Sequence, residues 1–594
     1  MQHKTRFFGQ SHWMNGCDLF PVLGRLVDRT ETDSDAELTR AVDSYKTLAR
    51  VIKAQRVPLF IFPEIGQHLP QRQIADGLVD CYLRTFETVY RVVHIPTFRA
   101  EYERYWENPS TGKPAFIALL QLCMAIGACF VDDTFSLRSS AVQWIYEAQA
   151  WLMSPPEKTK MTSTGLQVMC LLRFARQVAG LGADFTWISA GSLIRSAMYM
   201  GLHRDPKHLS ISNRTLYNCE LRRRLWTTIL EIALQSSVDA GGPPLLSLSD
   251  FDTEPPGNFN DADLIEGGDV GPARNKDSNA FSQTSVQIAL FRSFPMRLAI
   301  AKHINDVQSK AGYAETLRVN GELAASCREL VKQMAVWPAD DLGVSGVSDF
   351  QRRITEWALN RFFLALHVPK LVQSFTDPTY YFSRKMCVDA ALKLSHVSNL
   401  LPTQPYSKTG DFDSLLRSGA GPWRQVVFQG VAIIGLELLK RREEEHAGGG
   451  VAVTLGCSEM RSVLEAALDL TVRQIRSGET NAKGHAAVKT MLAQIDGLES
   501  GLNEKELDES IEREVTTALR RCYGLMLEAA GMSFDDAAGP TLDLDTAVGS
   551  FDDDPMDFLT GWEEVPNWAS LSTALNNDSA SSMNPFGGSS TELG

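Results

Sequence analysis

Residues 216–244 read LYNCELRRRLWTTILEIALQSSVDAGGPP, and they carry the clearest helical pattern of the chain. Its apolar side chains recur every three or four positions, as on one face of an α-helix: Leu221, Leu225, Ile229 and Ile232. The pattern stops at residues 241–244, where two glycines permit a turn and two prolines cannot continue a helix. The stretch therefore predicts one long amphipathic helix with a sharp C-terminal end.

The same spacing recurs on both sides of this helix. It predicts further helices over residues 33–56, 187–202, 285–310, 316–335, 347–367, 381–401, 424–442, 458–477, 486–498 and 505–530. No stretch of six or more residues alternates apolar and polar side chains convincingly, as a half-buried strand would. The predicted fold class is therefore all-α, a large multi-helix domain of packed αα hairpins.

Charge is distributed unevenly along the 594 residues. The net charge is −14, and residues 531–594 contain twelve acidic side chains with no Lys, Arg or His. The preceding 530 residues hold 60 acids and 58 bases, which leaves them almost neutral. Ser, Asp, Gly and Asn dominate after residue 531, and such a composition cannot bury enough apolar surface to offset the entropy of ordering. The sequence predicts a disordered acidic C-terminal tail.

The cysteines and the apolar stretches of the sequence indicate the cellular compartment of the protein. The ten cysteines are dispersed without a C-x-x-C pair, and the N-terminus has no apolar segment typical of a secretory signal. The longest uncharged stretch, residues 115–131, is only 17 residues long and contains Gln121. A buried core helix explains it better than a membrane span. We expect an intracellular protein that has no membrane partner.

Several motifs in order resemble the fungal-specific transcription factor domain, the middle homology region of the zinc binuclear-cluster regulators. The resemblance begins at residues 91–98 (RVVHIPTF), strengthens at 194–206 (IRSAMYMGLHRDP) and peaks at 220–226 (ELRRRLW). It closes with Gly242-Pro243-Pro244, Asp250 and Asp252, and residues 4–14 also look like the segment that precedes this domain. The resemblance implies a helical regulatory domain, a nuclear location and a role in transcription, with homodimerisation possible.

In that family a separate module reads DNA through six cysteines that hold two zinc ions in closed thiolate sites. Only Cys17 precedes Cys81 here, so we expect no zinc or other cofactor in this chain. DNA is then a partner only if an upstream module or another protein supplies recognition. Two explanations stay open: a gene model that lacks its first exon, or a regulator that acts as a non-DNA-binding adaptor on a DNA-bound partner.

The predicted organisation has five parts. They are a linker-like segment (1–32), the helical homology domain (33–257), a mobile loop rich in Gly, Asp, Asn and Pro (258–284), a helical continuation of the regulatory domain (285–530) and the disordered acidic tail (531–594). The tail is a candidate activation segment.

The three arginines of ELRRRLW admit two interpretations. Clustered Arg suits phosphate binding. On a helix, however, Arg222, Arg223 and Arg224 fan across more than half a turn, and Glu220 is placed to pair with Arg224 at the i,i+4 spacing. Helix packing and ion pairing is the favoured interpretation. His203 and Asp205 follow a helix end and lack a nucleophile at any diagnostic spacing for catalysis.

An enzyme is the less favoured alternative. Residues 132–136 (DDTFS) and 305–309 (NDVQS) resemble the magnesium-binding motifs of all-α terpene cyclases, in which oxygen ligands hold the metal against a diphosphate. Ser136 stands at the position of the third acid of the first motif. Tyr313 stands at the position of the glutamate that ends the second motif. The sequence therefore predicts no catalytic residue and no metal site.

Residues 552–568 (DDDPMDFLTGWEEVPNW) interleave acids with bulky apolar side chains. The acids keep the apolar groups solvated while the segment is free, and these groups can then enter a coactivator groove as an induced helix. The alternative is an inert solubilising tail, in which exposed Trp and Phe are uncommon. The predicted partner-binding residues are Met556, Phe558, Leu559, Trp562 and Trp568. We expect the transcription coactivator machinery as partner, and a pathway-specific activator of fungal, possibly secondary, metabolism.

Overall fold

The computed structural model describes most of the chain in several ranges. These are residues 36–56, 65–155, 157–182, 185–209, 215–266, 280–308, 312–340, 345–401, 410–447 and 456–532, together with 276–277 and short pieces between 2 and 30.

Long α-helices make up nearly all of this part of the protein. They are α1 (Glu37–Arg56), α2 (Arg72–Arg84), α3 (Phe86–Tyr90), α4 (Ile95–Glu107), α5 (Pro114–Gly127), α6 (Arg138–Met153), α7 (Ser163–Ala179), α8 (Thr186–Tyr199), α9 (Leu216–Ala240), α10 (Ser285–Asn305), α11 (Tyr313–Val336), α12 (Asp349–His367), α13 (Tyr381–Val397), α14 (Asp411–Ser418), α15 (Pro422–Ala447), α16 (Cys457–Arg476), α17 (Lys483–Glu499) and α18 (Glu504–Ala530).

Strands contribute very little to the described residues. A two-residue antiparallel pair joins β1 (Gln2–His3) to β2 (Arg6–Phe7), and a single bridge links Ala339 to Val347. The prediction of an all-α fold is confirmed.

Capping interactions mark both ends of α9. At the start of α9, the Thr215 side chain accepts a hydrogen bond from the backbone of Asn218, and at its end Gly241 adopts a left-handed conformation with φ +64°. That conformation costs glycine little, and it allows the amide of Gly242 to reach the carbonyl of Ser237 at 3.0 Å. The stop predicted at the Gly-Gly-Pro-Pro sequence is confirmed.

Helices that are near one another in sequence pack as hairpins. Close pairs include α5 with α6, α8 with α9, α12 with α13 and α17 with α18. Helix α5 occupies a central position and is buried from Phe116 to Gly127. A Cβ atom on Gly127 would lie 2.0 Å from the carbonyl oxygen of Leu78, so only glycine permits α2 to approach so closely. The uncharged stretch is therefore a core helix, and no described helix is long and apolar enough to cross a bilayer.

The buried apolar side chains of the described residues form one large core, a smaller satellite core and a group of three residues, Tyr217, Phe259 and Leu264, beside the start of α9. The large core runs from α2 to α17, whereas the satellite core is built mainly from α1, α18 and the residues around the α16–α17 turn. Tyr45 of α1 fixes this second core, because its hydroxyl donates to the carbonyl of Thr480 and accepts from the amide of Ala482. The N-terminal helix therefore packs on the helix that leads into the C-terminal tail.

Candidate functional site: the charged groups around Asp261

The five residues predicted to bind a partner, Met556, Phe558, Leu559, Trp562 and Trp568, lie outside the described residues. The structure does describe where their segment begins. Helix α18 ends at Gly531, which has φ +64°, and the amide of Met532 closes the last turn on the carbonyl of Leu527 at 3.0 Å. The helix predicted over residues 505–530 therefore does end at residue 530.

The motif at residues 91–98 begins with a turn held by a buried carboxylate. Helix α3 ends at Arg91, a non-glycine residue in the left-handed region with φ +52°. Glu87 is fully buried and accepts hydrogen bonds from the Tyr82 hydroxyl at 2.6 Å and from the amides of Val92 and Val93 at 3.1 and 3.2 Å. Burial raises the pKa of Glu87 to about 7, although the Arg91 cation opposes this shift.

Asp261 connects that turn to α9. Its carboxylate accepts from Arg91, from Arg224 at 2.6 Å and from the amide of Ile95 at 2.8 Å, and its backbone carbonyl contacts the His94 ring at 2.9 Å. Asp261 is 2% exposed. Burial alone would raise its pKa, but Arg91 and Arg224 outweigh burial and hold the pKa of Asp261 well below its usual value. Two acids and two arginines thus form a buried cluster, in which the ionised Asp261 lies between Arg91 and Arg224.

The three arginines of residues 222–224 each have a partner in the protein. Arg222 donates to the carbonyl of Met200 at 3.0 Å, and Arg224 pairs with Asp261. Arg223 donates to both carboxylate oxygens of Asp205, at 2.9 and 3.0 Å, and to Glu220 at 2.7 Å. Packing and ion pairing is confirmed for this motif. The specific pair predicted, Glu220 with Arg224, is wrong: Glu220 pairs three residues on with Arg223, while Arg224 turns to the loop.

These ion pairs anchor the segment that follows α9. The amide of Gly257 donates to Glu220 at 2.7 Å, and the Thr284 hydroxyl donates to the carbonyl of Gly257 at 2.9 Å. Phe259 and Leu264 are buried. Packing therefore holds both ends of the segment 258–284, which was predicted to be a mobile loop, and residues 267–275 and 278–279 within it lie outside the description.

Asp205 binds groups of the same loop and of α9 rather than the nearby histidine, His203. It is completely buried, and besides Arg223 it accepts from the amides of Lys207 and Glu254 at 3.0 and 3.1 Å. Burial works against ionisation, but the Arg223 contacts hold the pKa of Asp205 down at about 2. Its carboxylate is therefore an acceptor that joins α9 to the loop residues on either side.

The polar side chains of the two cyclase-like motifs make hydrogen bonds and ion pairs within the fold. The Asp132 carboxylate accepts from the backbone and hydroxyl groups of Thr134 and Ser136, and Asp133 pairs with Arg417 at 2.7 Å. Asn305 donates to the carbonyl of Gly242 at 2.9 Å. Across the part of the chain that the structure describes, no three His, Cys, Asp or Glu side chains are grouped to hold a metal ion. The zinc of the family's DNA-reading module therefore has no donor set among these residues.

Sequence reasoning missed Glu87 and Asp261, which hold the motifs together. The available signal was weak: Glu87 is an acid within the apolar segment FETVYRVV, and Asp261 lies in a polar segment without periodicity. Through these contacts the charged groups join α3, α4, α9 and the following loop into one unit.

Comparison with known proteins gives this unit a context. A family model described as the fungal specific transcription factor domain matches residues 79–293, which include Glu87, Arg91, Arg224 and Asp261. Transcription factor opdR of Penicillium oxalicum is 32% identical over 591 residues, covering 94% of this chain and 73% of that protein.

Two further relatives match over smaller shares of their own length. Transcription factor lepE of Aspergillus flavus is 30% identical over 88% of this chain and 64% of its own length. The aspyridones cluster regulator apdR of Emericella nidulans is 31% identical over 58% of this chain and 47% of its own length. The chain thus spans between about half and three quarters of these relatives.

Proposed function

Because this chain belongs to the fungal transcription factors that carry the fungal specific transcription factor domain, we propose that it activates the genes of one biosynthetic pathway, using the acidic tail to recruit coactivators. The relatives support the pathway assignment, since one of them is named as the regulator of a biosynthetic gene cluster. The same relatives support action in the nucleus.

One observation carries the assignment of activation to the tail. The body is almost neutral and its motif arginines are engaged in internal contacts, whereas residues 531–594 contain twelve acids and no base. An acidic segment is repelled by DNA phosphate and attracted to basic or amphipathic protein surfaces. Apolar side chains at positions 556, 558, 559 and 562 supply the anchors that a helix-in-groove complex needs.

A reporter assay tests the tail directly. Residues 531–594 are fused to a heterologous DNA-binding domain, and we expect strong activation of the reporter. Replacing Phe558 and Trp562 by alanine removes two aromatic anchors and should lower activation at least about tenfold, since the loss of each such anchor costs about 1–3 kcal/mol.

A matched control removes two other large apolar side chains from the same tail, Met583→Ala with Phe586→Ala. This control should activate like the unchanged tail. Equal loss in both double variants would contradict the assignment of the anchors, and silence of the unchanged tail would contradict activation itself.

We also propose that the described helices do not read DNA and have no catalytic activity. The purified chain should leave the mobility of promoter DNA unchanged unless a zinc module or a DNA-bound partner is added. A shift with the chain alone would overturn this proposal, and magnesium-dependent turnover of a prenyl diphosphate would overturn the second part.

A further inference from the structure

The segment that connects α12 to α13 leaves large apolar side chains at the surface. Residues 368–380 include three short 3-10 turns that pack on α13. Val372 of this segment is 56% exposed, and Tyr381 and Phe382 at the start of α13 are 62% and 39% exposed. Exposed apolar side chains that lie together mark a place where another segment binds.

A contact between two rings places α11 beside this segment. The ring of Tyr313 lies 4.8 Å from the ring of Tyr380, and the hydroxyls of Tyr313 and Ser383 are 2.9 Å apart. Leu317, one helical turn further along α11, is 39% exposed. The apolar area therefore extends from the start of α13 to the start of α11.

Two lysines accompany the apolar side chains. Lys385 follows Tyr381 by one turn on the outward face of α13, and the Lys370 ammonium lies 5.4 Å from the centre of the Tyr380 ring. Neither lysine makes an ion pair with a described residue. Residues 368–385 contain three bases and one acid, whereas the body as a whole has slightly more acids than bases. We call the following side chains the connector surface: Leu317, Lys370, Val372, Tyr381, Phe382 and Lys385.

The tail of the same chain has the complementary chemistry. Residues 552–568 carry acids on both sides of Met556, Phe558, Leu559 and Trp562, and they contain no base. Apolar anchors need an apolar surface, and the flanking acids need cations at its edge. The connector surface offers both.

Ion pairs fix the distance between the connector surface and the helix that precedes the tail. Arg384, next to Lys385, contacts Glu444 of α15 at 3.4 Å. Half a turn before Glu444, Arg442 pairs at 2.8 Å with Glu499, the last residue of α17. Helix α18 begins five residues later and, with 27 residues, is about 40 Å long. Its far end therefore lies on the order of 60 Å at most from the connector surface.

The tail is long enough to cover this distance. From Met532, the last described residue, 24 residues lead to Met556. An extended chain of that length spans up to about 80 Å. Residues 552–568 can therefore reach the connector surface of their own chain.

We propose that residues 552–568 bind the connector surface of their own chain, with their apolar side chains on Val372, Tyr381 and Phe382 and their acids beside Lys370 and Lys385. Covalent attachment favours this occupant, because it holds the segment at a high effective concentration near the surface. A segment bound there is not free to enter a coactivator groove. That consequence rests on the proposed activation by the tail, whereas the binding itself does not.

Chymotrypsin, which cuts after aromatic residues, detects this binding in the full chain. The rate of cutting at Trp562 is divided by the rate at Phe586, which lies in the same tail outside the bound segment. Lys370→Glu combined with Lys385→Glu should raise this ratio at least about fivefold, because the protease acts on the unbound fraction. Raising NaCl from about 0.05 to about 0.5 M should raise it as well, because salt screens exposed charges.

A second double variant tests the apolar part of the surface. Val372→Ser with Tyr381→Ser should raise the ratio in the same way. The matched control is Ile188→Ser with Tyr199→Ser, which removes two apolar side chains of α8 that are 62% and 80% exposed, and it should leave the ratio unchanged. Each variant should melt within about 1 °C of the unchanged protein, which shows that the body stays folded.

A charge control completes the test. Arg513→Glu with Arg521→Glu reverses two exposed charges of α18 and should leave the ratio unchanged. The proposal is overturned if salt does not change the ratio in the unchanged protein, or if either variant and its control behave alike. Protection of Trp562 that grows with protein concentration would assign the surface to the tail of a second copy and overturn binding within one chain. None of these outcomes depends on the reporter activity of the tail.

Discussion

Two buried clusters of charged side chains contact α9, and they differ in how closely their arginines are paired. Around Asp261, at the N-terminal half of α9, two arginines face two acids. Around Asp239, at the C-terminal end of α9, Arg297 and Arg361 have close carboxylate partners, whereas Arg173 lies 3.9 Å from the Asp239 carboxylate. The first cluster joins the family motifs to the loop after α9, and the second joins α7, α10 and α12 to α9. The two clusters are buried alike and differ in how closely their arginines are paired.

The largest expected effect comes from breaking the cluster around Asp261. Asp261→Asn leaves Arg91 and Arg224 buried without a carboxylate between them, and it should lower the free energy of unfolding by about 3–5 kcal/mol. Denaturant unfolding measures this loss. Asp263→Asn is the control, because Asp263 lies in the same 3-10 turn but is exposed, and it should cost less than about 1 kcal/mol. Equal costs would mean that the cluster does not hold the motifs together.

The sharpest test of the comparison removes one arginine from each cluster. Arg224→Met removes a closely paired arginine from the first cluster and should cost about 2–3 kcal/mol, whereas Arg173→Met removes the loosely paired arginine of the second and should change stability by less than about 1 kcal/mol. Both side chains are almost fully buried, so the variants are matched in packing. A larger loss for Arg173→Met than for Arg224→Met would contradict the comparison of pairing.

A smaller effect comes from neutral histidines in the core. His367 contacts Ser383 through Nδ1 at 2.9 Å and Asn320 through Nε2 at 3.0 Å, an arrangement that suits an uncharged ring. Burial lowers the pKa of His367 to about 4, and burial likewise lowers the pKa of His485 to about 4. The unfolded chain therefore binds protons first, and stability falls as the pH drops from about 6.5 toward 4.

For His367 this loss should reach about 1–2 kcal/mol near pH 5, at roughly 1.4 kcal/mol per pKa unit. Unfolding measured as a function of pH should show a shallower acid limb in His367→Gln, whereas His208→Gln, which alters an exposed ring, should keep the original limb. Identical pH profiles in the unchanged protein and His367→Gln would rule out this contribution.

The sequence predicted the helices better than their contacts. The helix predicted at 505–530 is observed at Glu504–Ala530, and the one at 486–498 at Lys483–Glu499, because apolar periodicity and capping are local properties. Helix α6 was not predicted, because the charged residues Arg138 and Glu147 are buried among its apolar residues and interrupt the apolar periodicity.

Ion-pair partners could not be predicted in the same way. Spacing along a helix suggests only intrahelical pairs such as Glu220 with Arg224, whereas the partner of Arg224 lies 37 residues away in a loop. The left-handed backbone conformation at Arg91 could not be predicted either, because the residue in that position is not a glycine. The loose pairing of Arg173 appears only when α7, α9, α10 and α12 are placed side by side. Residues 556–568, by contrast, remain a prediction from composition alone.

One truncation tests most directly the claim that the neutral helical body folds without the acidic tail and that the tail carries the activation. The full chain and residues 1–532 are each tethered to reporter DNA through the same heterologous DNA-binding domain, and the melting temperatures of both are measured. We predict that residues 1–532 melt within about 1 °C of the full chain, since α18 is already closed at Gly531, but activate no more than the DNA-binding domain alone. Full activation by residues 1–532 would contradict the account.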